Sequence, residues 1–280
     1  MANINPGYMG YADIDGNNVR FDSASVVVKQ EINAPDLIMG DWDHDAYNYG
    51  PITVGGSIGG PVTENFASGG GSIWDWATNR AGTCGTLAEK TVTLYYYCGT
   101  GGRNSRRFTG MLVNSLNFSC SAGDVAKFTI DVMGKSAGPW SSYGTGMQDP
   151  EKLLTWDKVT LSASGPTLSN ALYFSAFDFT IANNCTPQYA LSNVESDLFP
   201  YEIVPGLRTI TGSLSVYNVP TADGADTWDD YQASEIDQLT FNLGSGNLTF
   251  NVRCHRVEPA SATGPMISTV AFTGVTHQSF

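Results

Sequence analysis

Charge is what this sequence has least of. Only 15% of its 280 residues are Asp, Glu, Lys or Arg, where about 25% is usual in a soluble domain, so Ser, Thr, Asn, Gly and aromatics must coat much of the surface. Such a coat suits a protein largely covered by neighbours. Basic residues are scarcer still: 14 Lys and Arg stand against 27 Asp and Glu, for a net charge of −13. Readers of duplex DNA gain affinity by neutralising phosphates with Lys and Arg, and no polybasic run supplies that footprint here. Contact with nucleic acid is expected to be repulsive on average.

Other absences narrow the function further. No apolar run approaches the roughly 18 residues of a membrane helix, so no membrane partner is expected. Residues 1–20 are polar and lack the basic and apolar regions of a secretion signal. Cys84, Cys98, Cys120, Cys185 and Cys254 are odd in number and show no CxxC spacing, which favours thiols in a reducing cytosol over a disulfide framework or a zinc site. His44, His255 and His277 lie on separate segments, and neither a Gly-x-Ser-x-Gly elbow nor a His-Glu-x-x-His motif occurs. No catalytic residue, metal or cofactor is therefore expected. Asp41-Trp42-Asp43-His44-Asp45 begins like a calcium loop, but Ala46 stands where glycine is needed and Ile52 where the bidentate glutamate belongs. Asp13-Ile14-Asp15-Gly16-Asn17 reads as a turn. Ser68-Gly69-Gly70-Gly71-Ser72 lacks the Gly-Lys-Ser/Thr ending of a phosphate loop and reads as a connector.

What the chain does have is aromatic residues, 6 Trp, 13 Tyr and 13 Phe, and a period of two. Ala126, Phe128, Ile130 and Val132 alternate with Lys127, Thr129 and Asp131, and Leu248, Phe250, Val252 and Cys254 keep the same beat. Strands with one wet face are expected there. Further strands are expected over 19–28, 52–58, 91–97, 112–120, 172–181, 210–217, 239–243 and 267–272. Helical pattern is confined to 72–79, with an extension toward Lys90, and to 226–238, where Trp228, Tyr231 and Ile236 share a face. An ordered series recurs. Val19-Arg20-Phe21 is answered 153 positions later by Leu172-Tyr173-Phe174, Gly56 by Gly212, and Trp74-Asp75-Trp76 by Trp228-Asp229-Asp230-Tyr231. A mainly β chain of two tandem domains is expected, residues 1–137 and 138–280, with the junction in the Gly, Ser and Pro of 134–150.

Two features look like contacts. Gly101-Gly102-Arg103-Asn104-Ser105-Arg106-Arg107 lies between two expected strands, and a hairpin tip carrying Arg103, Arg106 and Arg107 suits either phosphate or an acidic patch on a neighbour. The segments 31–50 and 183–206 occupy equivalent places in the two copies, and connections longer than about 12–15 residues are usually functional. A pair of carboxylates for sugar hydrolysis depends on spatial separation, which sequence does not give.

These segments together resemble a family. The run Phe108 to Lys135 holds Gly110-Met111-Leu112-Val113-Asn114-Ser115-Leu116, the turn Ser121-Ala122-Gly123-Asp124 and a strand ending in Gly134-Lys135. With Phe177 to Asn184 and the strand 209–217 after Pro205-Gly206-Leu207-Arg208, it is similar to the tail tube (major tail) proteins of long-tailed bacteriophages. The resemblance covers most of 19–275. It implies a β-sandwich or partial barrel with one flanking helix per domain, and rings of six domains stacked into a hollow tube. A two-domain chain then forms a trimeric ring of pseudo-sixfold symmetry, its sheets joined edge to edge. The implied partners are the chain itself, other tail proteins at the tube ends, and DNA that transits without specific binding. The implied place is the virion tail, assembled in the host cytoplasm. Trp42, Asp43, Tyr47, Tyr49, Leu198, Phe199 and Tyr201 become candidate inter-ring contacts, and the three arginines a subunit contact. Asp124, Asp131 and Asp178 become candidates for an acidic lumen that repels DNA, although the outer layer is open to each. A carbohydrate-binding β-sandwich of an adhesion module is the alternative reading.

Overall fold

The computed structural model describes residues 10–33, 48–63, 73–78, 80–81, 86–98, 102–142, 152–164, 173–190, 198–217, 236–243, 247–259 and 267–277. The first half carries β1 (Gly10–Ile14), β2 (Asn17–Phe21), β3 (Ser23–Ala24), β4 (Val27–Asn33), β5 (Asn48–Pro61), α1 (Ile73–Thr78), β6 (Arg80–Ala81), β7 (Thr86–Leu87), β8 (Lys90–Cys98), β9 (Gly102–Ser121), β10 (Lys127–Gly134) and β11 (Ser136–Ser142). After a 3-10 turn at Trp156–Lys158 come β12 (Val159–Ser164), β13 (Tyr173–Ala182), β14 (Thr186–Gln188), β15 (Glu202–Val204), β16 (Thr209–Tyr217), β17 (Asp237–Leu243), β18 (Asn247–Pro259) and β19 (Ile267–His277). The protein is mainly β.

The alternation read from sequence sets the faces. Along β10, Phe128, Ile130 and Val132 are buried while Lys127, Thr129 and Asp131 are exposed. The expected turn at Asp13–Asn17 is a two-residue hairpin: Asp15 and Gly16 take φ of 49° and 89°, and the Gly16 amide donates to Asp13 Oδ1 at 2.6 Å. Consecutive positive φ values are those of a type I′ turn, which suits the twist of paired strands.

Strand pairing repeats. In the first half the antiparallel order is β1-β8-β9-β10-β5-β4, and in the second it is β12-β17-β18-β19-β16-β13. Each series enters its sheet in the same chain order. The likeness extends to irregularities. Val113 faces Val132, Asn114 is skipped, and Ser115 faces Asp131; correspondingly Cys254 faces Phe272, His255 is skipped, and Arg256 faces Ala271. A bulge adds one residue to one strand and raises local twist, so the two sheets bend at matching points. The two series join where residues 115–121 of β9 pair with 176–182 of β13. One buried cluster runs through both, from Ala12, Val92 and Leu94 to Phe179, Phe241 and Phe250.

Glycines mark equivalent close approaches. A Cβ on Gly56, whose φ is +150°, meets the Ser25 carbonyl and lies 2.8 Å from Val26 Cα, and one on Gly212 lies 2.5 Å from the Asp178 carbonyl oxygen and against the Phe272 ring. Gly56→Ala and Gly212→Ala are each expected to lower stability by about 1–3 kcal/mol, read as an earlier urea midpoint. An unchanged midpoint would mean that these strands tolerate a wider spacing.

Several expectations change. The second helix, expected over 226–238, ends differently: 226–235 lie outside the described residues, and Asp237 and Gln238 belong to β17, held opposite Val252 and Asn251. The first helix stops at Thr78, and Lys90 opens β8. Division at 137/138 falls inside β11, which pairs with β9 through Thr109–Ser136 and Ser105–Ser141 contacts, so strand pairing carries the first half to Ser142. Arg103, Arg106 and Arg107 lie in paired strand and not in a tip, because Gly102 to Arg107 pair with β8 as part of β9.

Candidate functional site

One face of the joined sheet is lined by small polar side chains. A row crosses five strands as Thr129, Asn117, Thr180, Thr211 and Thr273, and the next row runs Lys127, Ser119, Asp178, Ser213 and Ala271. Neighbours across these strands hydrogen-bond. Asn117 Nδ2 donates to Thr180 Oγ1 at 3.0 Å across the β9·β13 joint, Ser115 Oγ donates to Asp131 Oδ2 at 2.7 Å, and Ser213 Oγ donates to Asp178. The opposite face of the same joint is apolar, with Phe118 stacked on Phe177 and Phe179 at centroid distances of 5.7 and 5.4 Å. Alternation thus separates a dry core from a wet, hydroxyl-rich surface at every residue step.

The candidate acidic residues divide accordingly. Asp131 and Asp178 lie exposed on the polar face, whereas Asp124 sits in the turn between β9 and β10, 3.6 Å from Lys127 Nζ in a solvent-exposed pair. Lys29, Lys127 and Arg253 are also exposed at polar-face positions, so charges of both signs are dispersed there among hydroxyls. Cys120 lies beneath this surface, and burial, with the Asp124 charge adding to it, pushes its thiol pKa up.

An arm stands at one end of the face. Within 183–206, expected as a long loop, β14 and β15 pair antiparallel from Thr186–Val204 to Gln188–Glu202. The buried Ile203 and Cys185 pack with Leu87 and Leu112 and against Met133, which anchors the arm on the middle of β9 and the end of β10. Tyr189 Oη donates to the Ile52 carbonyl at 3.4 Å, and burial, seconded by Glu31, raises its pKa. Between arm and sheet lies a cleft of about 690 Å3, with Lys29, Thr53 and Asp131 on one wall and Pro187, Tyr189 and Pro200 on the other. Of the expected contact residues, Leu198 and Phe199 are half-buried, Phe199 against the main core, and Tyr201 is 74% exposed. Leu207, 82% exposed, and Val204, 42% exposed, are further exposed apolar residues of this region, and they escape sequence reading because isolated apolar residues carry no period. Tyr49 lies in β5 opposite Ile32, while Trp42, Asp43 and Tyr47 lie outside the described residues.

The arginines do not act as one cluster. Arg106 is half-buried, donates from Nε to the Gly138 carbonyl at 3.1 Å, and lies 5.6 Å from the ring centroids of both Phe108 and Trp140. Arg107 is exposed on the opposite face of β9, and Arg103 occupies the strand position opposite Tyr97. Arg106 therefore has an internal role, holding β11 on β9 by a hydrogen bond and cation–π contact.

Among the described residues, no group of three or more His, Cys, Asp and Glu side chains is arranged to hold a metal ion, and no helix is long and apolar enough to cross a membrane. No individual curated protein matches the chain. A family profile described as phage tail tube protein matches residues 8–274, nearly the whole length, and nothing in it favours the carbohydrate-binding alternative. A mainly β chain whose sheet is polar on one face, with a paired arm at the end of that face, agrees with that match: the chain belongs to the phage tail tube protein family, and is a structural component of the virion tail.

Proposed function

We propose that three copies of this chain close into a ring of pseudo-sixfold symmetry, that rings stack into the hollow tail tube, and that phage DNA passes along the polar face of the sheet. In this reading the chain is two copies of one domain, the first ending near Ser142 and the second beginning with the segment that leads into β12. The observation that carries it is the repeated six-strand order, matched at the Asn114 and His255 bulges, with one copy joined to the other through the β9·β13 edge. Three such chains offer six equivalent sheets. The wall so formed is dominated by Ser, Thr and Asn, with Asp131 and Asp178 among dispersed charges. Such a surface has no basic groove to hold DNA by its phosphates, so the duplex slides. Assembly takes place in the host cytoplasm, with other tail proteins at the tube ends.

Negative-stain microscopy of concentrated protein tests the reading. Rings or tubes with sixfold projection are expected; dispersed particles at every concentration, together with binding on a glycan array, would replace it with the adhesion module. The arm gives a second test. Replacing Tyr201 and Leu207 together by Ser is expected to leave the unfolding free energy within about 0.5 kcal/mol, since both are exposed, while shortening or abolishing tubes. Full-length tubes from that variant would remove the arm from the stacking contact.

A further inference from the structure

The repeated topology leaves one joint open. In the first series, the side of β9 that takes β8 along 102–111 takes β13 along 115–121. In the second series, the corresponding side of β18 takes β17 along 247–252, and among the described residues no strand pairs there with 254–259. The strand equivalent to β13 is the segment 23–29: Thr180 faces Thr211 as Val27 faces Gly55, and Asp178 contacts Ser213 as Ser25 Oγ contacts Ser57 Oγ at 3.0 Å. Among the described residues, the outer side of this segment is paired with nothing, and Val27 within it is 41% exposed on the polar face. Among the described residues, one chain therefore has two unpaired edges whose equivalents are joined to each other inside it.

From this we infer that the 23–29 edge of one copy adds to the 256–259 edge of a second copy, antiparallel, in the register of the internal joint. Thr180 opposite Asn117 becomes Val27 opposite Glu258, Ile181 opposite Leu116 becomes Val28 opposite Val257, and Ala182 opposite Ser115 becomes Lys29 opposite Arg256. The inference rests on the ring-forming reading and specifies its subunit contact. The joint is head-to-tail, so it closes only when the rotation per chain divides a full turn. Its formation pairs backbone groups on two strands that otherwise present open edges. The like charges of Lys29 and Arg256 are offset diagonally, since Glu258 neighbours Lys29 and Glu31 neighbours Arg256 in this register.

Disulfide trapping reads the register. Directly opposed residues of an antiparallel pair have Cα atoms about 4.5–5.5 Å apart, within disulfide reach, whereas diagonal ones lie about 7–8 Å apart, beyond it. The chain carrying Val27→Cys and Glu258→Cys is expected to give intermolecular cross-links on mild oxidation, ending in a closed covalent ring, with roughly tenfold more product than Val27→Cys with Arg256→Cys. Single-cysteine variants set the background from the natural thiols. Val27→Asp, which sets a carboxylate opposite Glu258, is expected to lower assembly at least about tenfold with the far-ultraviolet circular dichroism unchanged. Rings seen by microscopy without preferential cross-linking at 27 and 258 overturn this joint while leaving the tube reading standing. Preferential cross-linking without rings or tubes supports the joint and overturns the tube. Neither result in a folded protein overturns both.

Discussion

Trp74→Ala lowers the unfolding free energy by about 3–5 kcal/mol, the largest single loss expected for any one core position of this chain. Trp74 belongs to a six-residue helix too short to hold itself together, so packing must fix it. That packing crosses the chain. The indole is 1% exposed and meets Phe179 and Phe250 edge-on at 6.1 and 5.8 Å, and both rings come from the second series of strands. Phe179 in turn stacks on Phe118 across the β9·β13 joint. Removing the indole leaves a cavity among residues pinned by paired strands, which collapse poorly around it. Trp156→Ala is the control, since Trp156 is half exposed and its loss is expected within about 0.5 kcal/mol. Urea unfolding followed by Tyr and Trp fluorescence measures both. If the halves unfold in one transition in the parent and in two after Trp74→Ala, the helix is what couples them; if Trp74→Ala behaves like Trp156→Ala, the helix is an ornament to an already complete core.

The sequence made the strands legible wherever one face is wet and the other dry. The beat of Phe128, Ile130 and Val132, and the beat of Leu248, Phe250 and Val252, reappear as buried faces of β10 and β18. The Gly56 and Gly212 echo also had a physical cause, since both sit where a neighbouring strand leaves no room for a Cβ. β11 was illegible. Ser136-Ala137-Gly138-Pro139-Trp140 has turn composition, and it is a strand because β9 offers an edge, Arg106 reaches its Gly138 carbonyl, and Ser105 and Ser141 share a 3.0 Å hydrogen bond. Strand propensity depends on the partner more than on the residues themselves. The same holds for β14 and β15, three residues each, inside what composition presents as one long loop. Arg103, Arg106 and Arg107 looked like a cluster because they are close in sequence, but a strand sends neighbours to opposite faces. Bulges at Asn114 and His255 leave no mark in composition, yet they supply the strongest evidence of a repeat.

Asn183→Ala is expected to cost about 2–4 kcal/mol and to loosen the arm without removing any surface contact. Asn183 is fully buried at the base of the arm, where burying an amide demands partners for both ends. Its Nδ2 donates to the Ala77 carbonyl at 2.9 Å and the Val113 carbonyl at 3.0 Å, and its Oδ1 accepts from Arg208 Nε at 2.9 Å. Arg208 Nη2 adds a bond to the Ala77 carbonyl at 3.2 Å. A carbonyl in the last turn of a helix lacks an intrahelical partner, so these two side chains complete α1 from the other half of the chain. Alanine removes the amide donor from the Ala77 and Val113 carbonyls, leaving them only Arg208 Nη2 and the Cys185 thiol, and removes the acceptor of Arg208 Nε. Asn183→Asp keeps the shape but aims one carboxylate oxygen at two buried carbonyls, with only the other on Arg208 Nε; its stability should fall as pH rises and the acid ionises, because the unfolded chain then binds fewer protons than the folded one. A double-mutant cycle with Arg208→Ala decides whether the pair works as one network: coupling of about 0.5–3 kcal/mol is expected, and additive losses would make them independent anchors. The backbone gives the functional consequence. The Asn183 amide donates to the Asn114 carbonyl at 2.7 Å, and the Gly206 amide donates to the Asn183 carbonyl at 2.9 Å, so both ends of the arm close on this residue beside the β9 bulge. If the arm carries stacking, Asn183→Ala should reduce tube length at temperatures where the chain is still folded by circular dichroism; tubes of normal length from a destabilised chain would show that stacking does not depend on how the arm is seated.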